Sequence, residues 1–203
     1  MALENWTTWT ETDANSKLTV AANTLTVTAG TFNDSFSVGK DYGASHFGNF
    51  NHEFQIKTTT RGSGSNARVY WMMGNDTLQQ RYGTHNGILI YGWADSGSLY
   101  LEETGGSYQS ASYSNNTDYW LRIERTGGTA LSCKIYSDSG RTNLLSTLSI
   151  TVANTAYRYL TMANVGYGDT AADSFVIKDL NINEAASVPI VVINQRNMRP
   201  RHL

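Results

Sequence analysis

Cysteine occurs once, at Cys133, so no disulfide can form within the chain and the fold must rest on packing and backbone pairing. Charge is sparse as well: 16% of the 203 residues are Asp, Glu, Lys or Arg, and the formal net charge is −2. No acidic or basic block breaks the body of the chain, which argues against a salt-driven nucleic-acid partner. No segment is apolar for long enough to span a bilayer, so no membrane partner is expected. Met1 to Asn5 leads no basic segment into an apolar stretch, and a secretory signal is not expected here. Apolar repeats of helical period are missing too, and only 75–81 and 164–172 have room for a short helical turn. There is no repeat of solenoid length. Gly-rich phosphate loops, zinc motifs and nucleophile elbows are also lacking, which removes the commonest routes to enzymatic chemistry.

What remains is 40% hydrophobic residues in short runs, with Ser, Thr, Asn and Gly crowding between them. That composition predicts many strands joined by tight turns, in one large domain followed by a tail. Turn signals recur at Asn86-Gly87, Asp95-Ser96-Gly97, Gly105-Gly106, Gly127-Gly128 and Asp138-Ser139-Gly140, where residues that accept positive φ suit hairpins. The runs 88–94, 98–104 and 107–113 between them read as an antiparallel meander. In 119–125 and its return, Leu121, Ile123, Leu131, Cys133 and Ile135 share an apolar face, while Trp120, Arg122, Glu124, Ser132, Lys134 and Tyr136 face water. Segment 67–74 is apolar on both faces and belongs near the middle of a sheet. Further strands are expected at 18–28, 53–60, 144–152, 157–163 and 174–182. In the last, Phe175 and Ile177 differ in parity from Leu180 and Ile182, which predicts a bulge or burial on both sides.

The domain is expected to end at residue 185. The extension 186–203 has a β-prone run, Val188 to Ile193, interrupted by Pro189, then Arg196, Arg199 and Arg201 with no acid. Those three arginines leave twelve basic against seventeen acidic residues in the body, about −5 against +3.

The stretch from Tyr119 through the Gly127-Gly128 turn to Asp138, continued by 144–151, resembles the later strands of concanavalin A-like lectin/glucanase domains, including laminin-G-like modules. Ser174 to Ile182 resembles the closing strand of that fold, which pairs beside the N-terminal strand. Together with Asp41-Tyr42-Gly43-Ala44 and Phe47-Gly48-Asn49-Phe50, it is also similar to lectin-like domains of phage structural proteins. The resemblance covers residues 3–184 and implies an all-β, antiparallel jelly-roll sandwich with a C-terminal extended arm. It does not imply one activity, because the fold hosts lectins, glycosidases, lyases and virion parts.

The glucanase branch places three carboxylates on one strand face as Glu-x-Asp-x-x-Glu, but Glu11-Thr12-Asp13 lacks the third. Glu102 and Glu103 are adjacent and would point to opposite faces. Cys133 has the parity of core residues and reads as a structural thiol. His46, His52, His85 and His202 lack metal-site spacing. The chain is therefore expected not to be an enzyme. Sugars stack on aromatic rings while amides and carboxylates read their hydroxyls. On that basis Tyr70, Trp71, Tyr82, His85, Asn86, Tyr91 and Trp93 are the candidate carbohydrate-binding residues, with Asn75 and Asp76 in the loops; core packing is the competing reading for Trp71 and Trp93. No cofactor is expected, although Asp41, Asp95, Asp138 and Asp169 are loop candidates for a calcium ion.

Val188, Ile190 and Val192 are expected to add as a strand to a neighbouring subunit, with Arg196, Arg199 and Arg201 reaching an acidic partner surface; a flexible appendage, or an extra strand on the chain's own sandwich, is the competing reading. The leading expectation is a non-enzymatic virion structural or decoration protein of a bacteriophage, held to other virion subunits or to itself through this arm. A carbohydrate-binding module or receptor-binding lectin, extracellular and recognising a glycan, is the alternative.

Overall fold

The computed structural model describes residues 3–76, 86–166 and 171–184. Fourteen strands are present among them: β1 (Thr10–Asp13), β2 (Leu18–Ala21), β3 (Thr24–Gly30), β4 (Phe36–Asp41), β5 (Phe50–Thr60), β6 (Ala67–Gly74), β7 (Gly87–Trp93), β8 (Ser98–Glu103), β9 (Tyr108–Ser112), β10 (Asp118–Thr126), β11 (Ala130–Tyr136), β12 (Leu144–Thr151), β13 (Tyr159–Gly166) and β14 (Asp173–Glu184). They form two antiparallel seven-stranded sheets, in the orders β1-β4-β13-β6-β7-β8-β9 and β12-β11-β10-β5-β14-β3-β2. We refer to these as the β6 sheet and the β5 sheet. The expected sandwich is what forms, and its core is filled by alternate side chains from both sheets, among them Phe54, Ile56, Leu121, Ile123, Leu99, Leu101, Phe175 and Ile177.

The meander of β7, β8 and β9 and that of β10, β11 and β12 pair in sequence order, as their turns predict. Gly127 and Gly128 sit at φ +57° and +76° in the second, conformations that a Cβ would strain. β6 is the fourth strand of seven, which accounts for its two apolar faces. The closing strand β14 lies between β5 and β3. Its register shifts between Lys178 and Asn181, where Asp179 adopts φ +56°, so the parity change from Ile177 to Leu180 is a bulge.

Three features depart from the sequence reading. Residues 18–28 are not one strand but the hairpin of β2 and β3, whose turn at Ala22 and Asn23 has no glycine; the Ala22 carbonyl accepts from Trp6 N–H and the Asn23 carbonyl from Asp179 N–H. β1 and β4 form the edge of the β6 sheet, and a short 3-10 turn spans Trp6–Thr8 near the N-terminus. Asn164 to Gly166, within a segment with room for a helical turn, continues β13.

Inside the sandwich lies an ionic network. Arg68 Nη1 meets Asp173 Oδ1 at 2.6 Å, with both side chains fully buried. Asp173 also accepts from Gly62 N–H and Asn66 Nδ2, while Arg68 Nε and Nη2 donate to the Tyr113 hydroxyl. That hydroxyl lies 3.2 Å from Tyr70 Oη, which in turn lies 2.6 Å from Thr58 Oγ1. Gly92 makes room for the cluster, since a Cβ there would lie 2.2 Å from Tyr113 Oη.

Candidate functional site

The two outward sheet faces differ in chemistry. On the β5 sheet, alternation turns Glu53, Asp118 and Glu124 outward, and each pairs with a cation: Glu53 with Arg122 at 2.6 Å, Asp118 with Lys57 at 3.4 Å and Glu124 with Lys134 at 2.8 Å. That is a solvated face laced by cross-strand pairs. The outward face of the β6 sheet is apolar instead. Ala67, Val69, Met72, Leu89 and Tyr91 form a second buried cluster there, with Trp93 and Tyr100 packed half-buried against it.

At the β7 to β9 end of this face Tyr91, Trp93, Tyr100, Glu102 and Tyr108 line a cleft of about 370 Å³. Period-2 alternation puts them together: Tyr91 pairs with Tyr100 across β7 and β8, and Glu102 with Tyr108 across β8 and β9. The Tyr91 and Tyr100 rings stack at 5.0 Å and 11°, Trp93 stands at 73° to Tyr91, and Tyr108 lies 6.2 Å from Tyr100. The Tyr91 hydroxyl donates to Glu102 Oε2 at 2.6 Å. Tyr91 is thus a fixed floor, whereas Tyr108, 66% exposed, is a free wall. A rigid aromatic surface beside a carboxylate acceptor is chemistry suited to a sugar ring, whose apolar face stacks while its hydroxyls donate.

The structure sorts the expected carbohydrate-binding residues. Tyr91 and Trp93 are in the cleft. Tyr70 and Trp71 are not: both are fully buried in the inter-sheet core, which corrects their expected role. The cause is a bulge in β6 between Val69 and Trp71, which turns two successive side chains to the same side. Trp71 Nε1 donates to His52 Nδ1 at 3.1 Å, and Tyr70 belongs to the ionic network. Asn86 lines a separate polar cleft of about 360 Å³ with Asn75, Glu103, Thr155 and Tyr157. Tyr82 and His85 lie outside the described residues, as do Val188, Ile190, Val192, Arg196, Arg199 and Arg201. The sequence reading missed Tyr100, Glu102 and Tyr108 as site residues; their parity with Tyr91 and Trp93 across two Gly-containing turns was the available signal.

The other reactive side chains have local roles. Glu103 faces away from Glu102, and its Oε1 accepts from Ala153 N–H at 2.7 Å. Asp13 accepts the N–H groups of Lys17 and Leu18, building a turn. Cys133 is buried in the core, and burial pushes its thiol up to about 12. His52 is held neutral, pushed down to about 3 by burial and then by His46. Of the calcium candidates, Asp41 is bidentate to Arg158, and Asp138 accepts from the backbone of Thr142 and Asn143. Asp95 sits exposed in a turn and Asp169 lies outside the described residues. Among the described residues no three His, Cys, Asp or Glu side chains converge, so they do not fit a carboxylate-built calcium site.

No protein-family model matches the chain, and no curated protein matches it. Solved structures do. A legume lectin-like domain from Entamoeba histolytica superposes with a TM-score of 0.61 at 14% identity, covering 87% of this chain and 90% of that one. The exoplasmic/lumenal domain of VIP36 in its Ca2+-bound form gives 0.57 at 10% identity, covering 90% and 94%. An alginate lyase from Alteromonas sp. 272 gives 0.56 at 10% identity, covering 87% and 94%. Likeness at such identities is likeness of fold. The chain has the lectin-like jelly-roll fold common to these proteins.

Proposed function

We propose that this chain is a non-enzymatic glycan-binding domain whose ligand lies on the aromatic end of the β6 sheet, stacked on Trp93, Tyr100 and Tyr108 and hydrogen-bonded to Glu102. The observation that carries the reading is the cleft itself: four aromatic side chains and one carboxylate on an outward sheet face whose counterpart is laced with ion pairs. Lectin-like neighbours support it, one of them VIP36 in a Ca2+/Man3GlcNAc-bound form. The alginate lyase among them points the other way, toward catalysis. In this cleft Glu102 is the one carboxylate among the described lining residues, and its engagement by the Tyr91 hydroxyl suits a fixed acceptor, which favours binding. A glycan array probed with and without calcium tests this. Hits should be lost in Trp93→Ala and Tyr108→Ala and kept in a chain with an unaltered cleft. Hits that survive both substitutions overturn the assignment.

The sequence supports a second reading, which the first does not exclude: a virion decoration protein attached to its particle through residues 186–203. Its support is the phage-domain resemblance and the contrast between a basic extension and an acidic body. Deleting 186–203 should leave a folded monomer that no longer assembles, measured by light scattering beside the full chain; unchanged assembly refutes it.

A further inference from the structure

Glu102 is the one charged side chain among the described residues that line the aromatic cleft. It is half-buried, its Oε2 accepts the Tyr91 hydroxyl, and it has no ion pair among the described residues. None of the described residues lining the cleft is basic. The contrast within the molecule is sharp, because the outward carboxylates of the other sheet, Glu53, Asp118 and Glu124, each have a Lys or Arg partner within 4 Å. Glu102 Oε1 is thus a carboxylate oxygen with no cation paired to it among the described residues, in a cleft that Trp93, Tyr100 and Tyr108 also line. Both elements attract a positive group, and both repel a ligand carboxylate.

We infer that the cleft selects amino sugars: glycans with a free amine, whose ammonium group is held by Glu102 Oε1 and the surrounding aromatic faces. The inference rests on the glycan-binding reading and deepens it by naming the ligand's charge. Glu102 is then the specificity-determining residue, and uronic-acid polymers are excluded by like-charge repulsion. A quaternary ammonium compound has the same charge chemistry without the sugar, and the test separates the two.

The experiment is titration calorimetry of the full chain with a glucosamine oligomer, its N-acetylated counterpart, a galacturonate oligomer and tetramethylammonium chloride. The glucosamine oligomer should bind roughly tenfold tighter than the acetylated one, the margin of a charge-assisted over a neutral hydrogen bond. High ionic strength should shrink that margin, a readout that needs no variant. Glu102→Gln keeps an acceptor for Tyr91 and should erase the margin, so that the two oligomers bind with equal affinity. The galacturonate oligomer should not bind. A margin that persists in Glu102→Gln overturns the inference yet leaves the cleft reading standing. Tetramethylammonium binding as tightly as the glucosamine oligomer overturns the amino-sugar assignment. If Trp93→Ala and Tyr108→Ala leave binding of every oligomer unchanged, the cleft reading itself fails; if no oligomer binds at all, both fall.

Discussion

Two tryptophans separate structure from function in this molecule. Trp71 is enclosed between the sheets and Trp93 borders the cleft, although nothing in their immediate sequence distinguishes them. Trp71→Ala should cost about 3–5 kcal/mol of stability, because it leaves a core cavity and an unpartnered His52 Nδ1. Tyr108→Ala should change stability by less than about 0.5 kcal/mol, since the ring is largely exposed, and should weaken glycan binding instead. Denaturant midpoints for both variants check the pair. His52 supplies a pH dependence. Its folded pKa of about 3 lies below its ordinary value of 6.5, so between those values the unfolded chain binds more protons than the folded one. Stability is therefore complete above about pH 6.5 and falls as pH drops toward 3. The slope between about pH 6.5 and 5.5, above most of the range in which exposed carboxylates titrate, should flatten in His52→Asn when thermal unfolding is followed against pH. The buried Cys133 was legible from parity alone, and its thiol should react with a thiol reagent only when the chain is unfolded.

At the scale of elements, what the sequence revealed depended on how each strand announces its ends. The meanders of β7 to β9 and β10 to β12 were readable because glycines mark their turns, and in the second the side chains of β10 and β11 alternate between core and solvent. The β2–β3 hairpin was not, because Ala22 and Asn23 turn the chain through tertiary hydrogen bonds instead of a glycine. The bulge in β6 leaves no mark either, since Tyr70 and Trp71 suit a pleat as well as a bulge, and this is why both were assigned to the site. Arg68 gives no hint of burial; only its partner on β14, over a hundred residues later, makes that tolerable. Asp173→Ala should cost about 3–5 kcal/mol by leaving the Arg68 charge buried and unpaired, whereas replacing the pair with Arg68→Met and Asp173→Leu should cost less. Comparing the variants in a denaturant-unfolding cycle tests the network, and near-equal losses would refute this account. Gly92→Ala should also destabilise, by about 1–3 kcal/mol, through its clash with Tyr113.

For the molecule as a whole, division of labour between the sheets follows from charge placement. The β5 sheet presents paired charges to solvent, and the β6 sheet presents aromatic rings that the same pairing would have covered. Half of the cleft was legible, in Tyr91 and Trp93; the other half became visible only when register set Tyr100 and Tyr108 alongside them. The place of β14 has a further consequence. Because it lies between β5 and β3 inside the β5 sheet, a ribosome that has released the chain only as far as β13 leaves those two strands separated by an open slot with unpaired backbone on both sides. The nascent protein must wait for β14 before either half can close, and until then that slot is the place where a chaperone, or a β-strand from a second chain, would lodge.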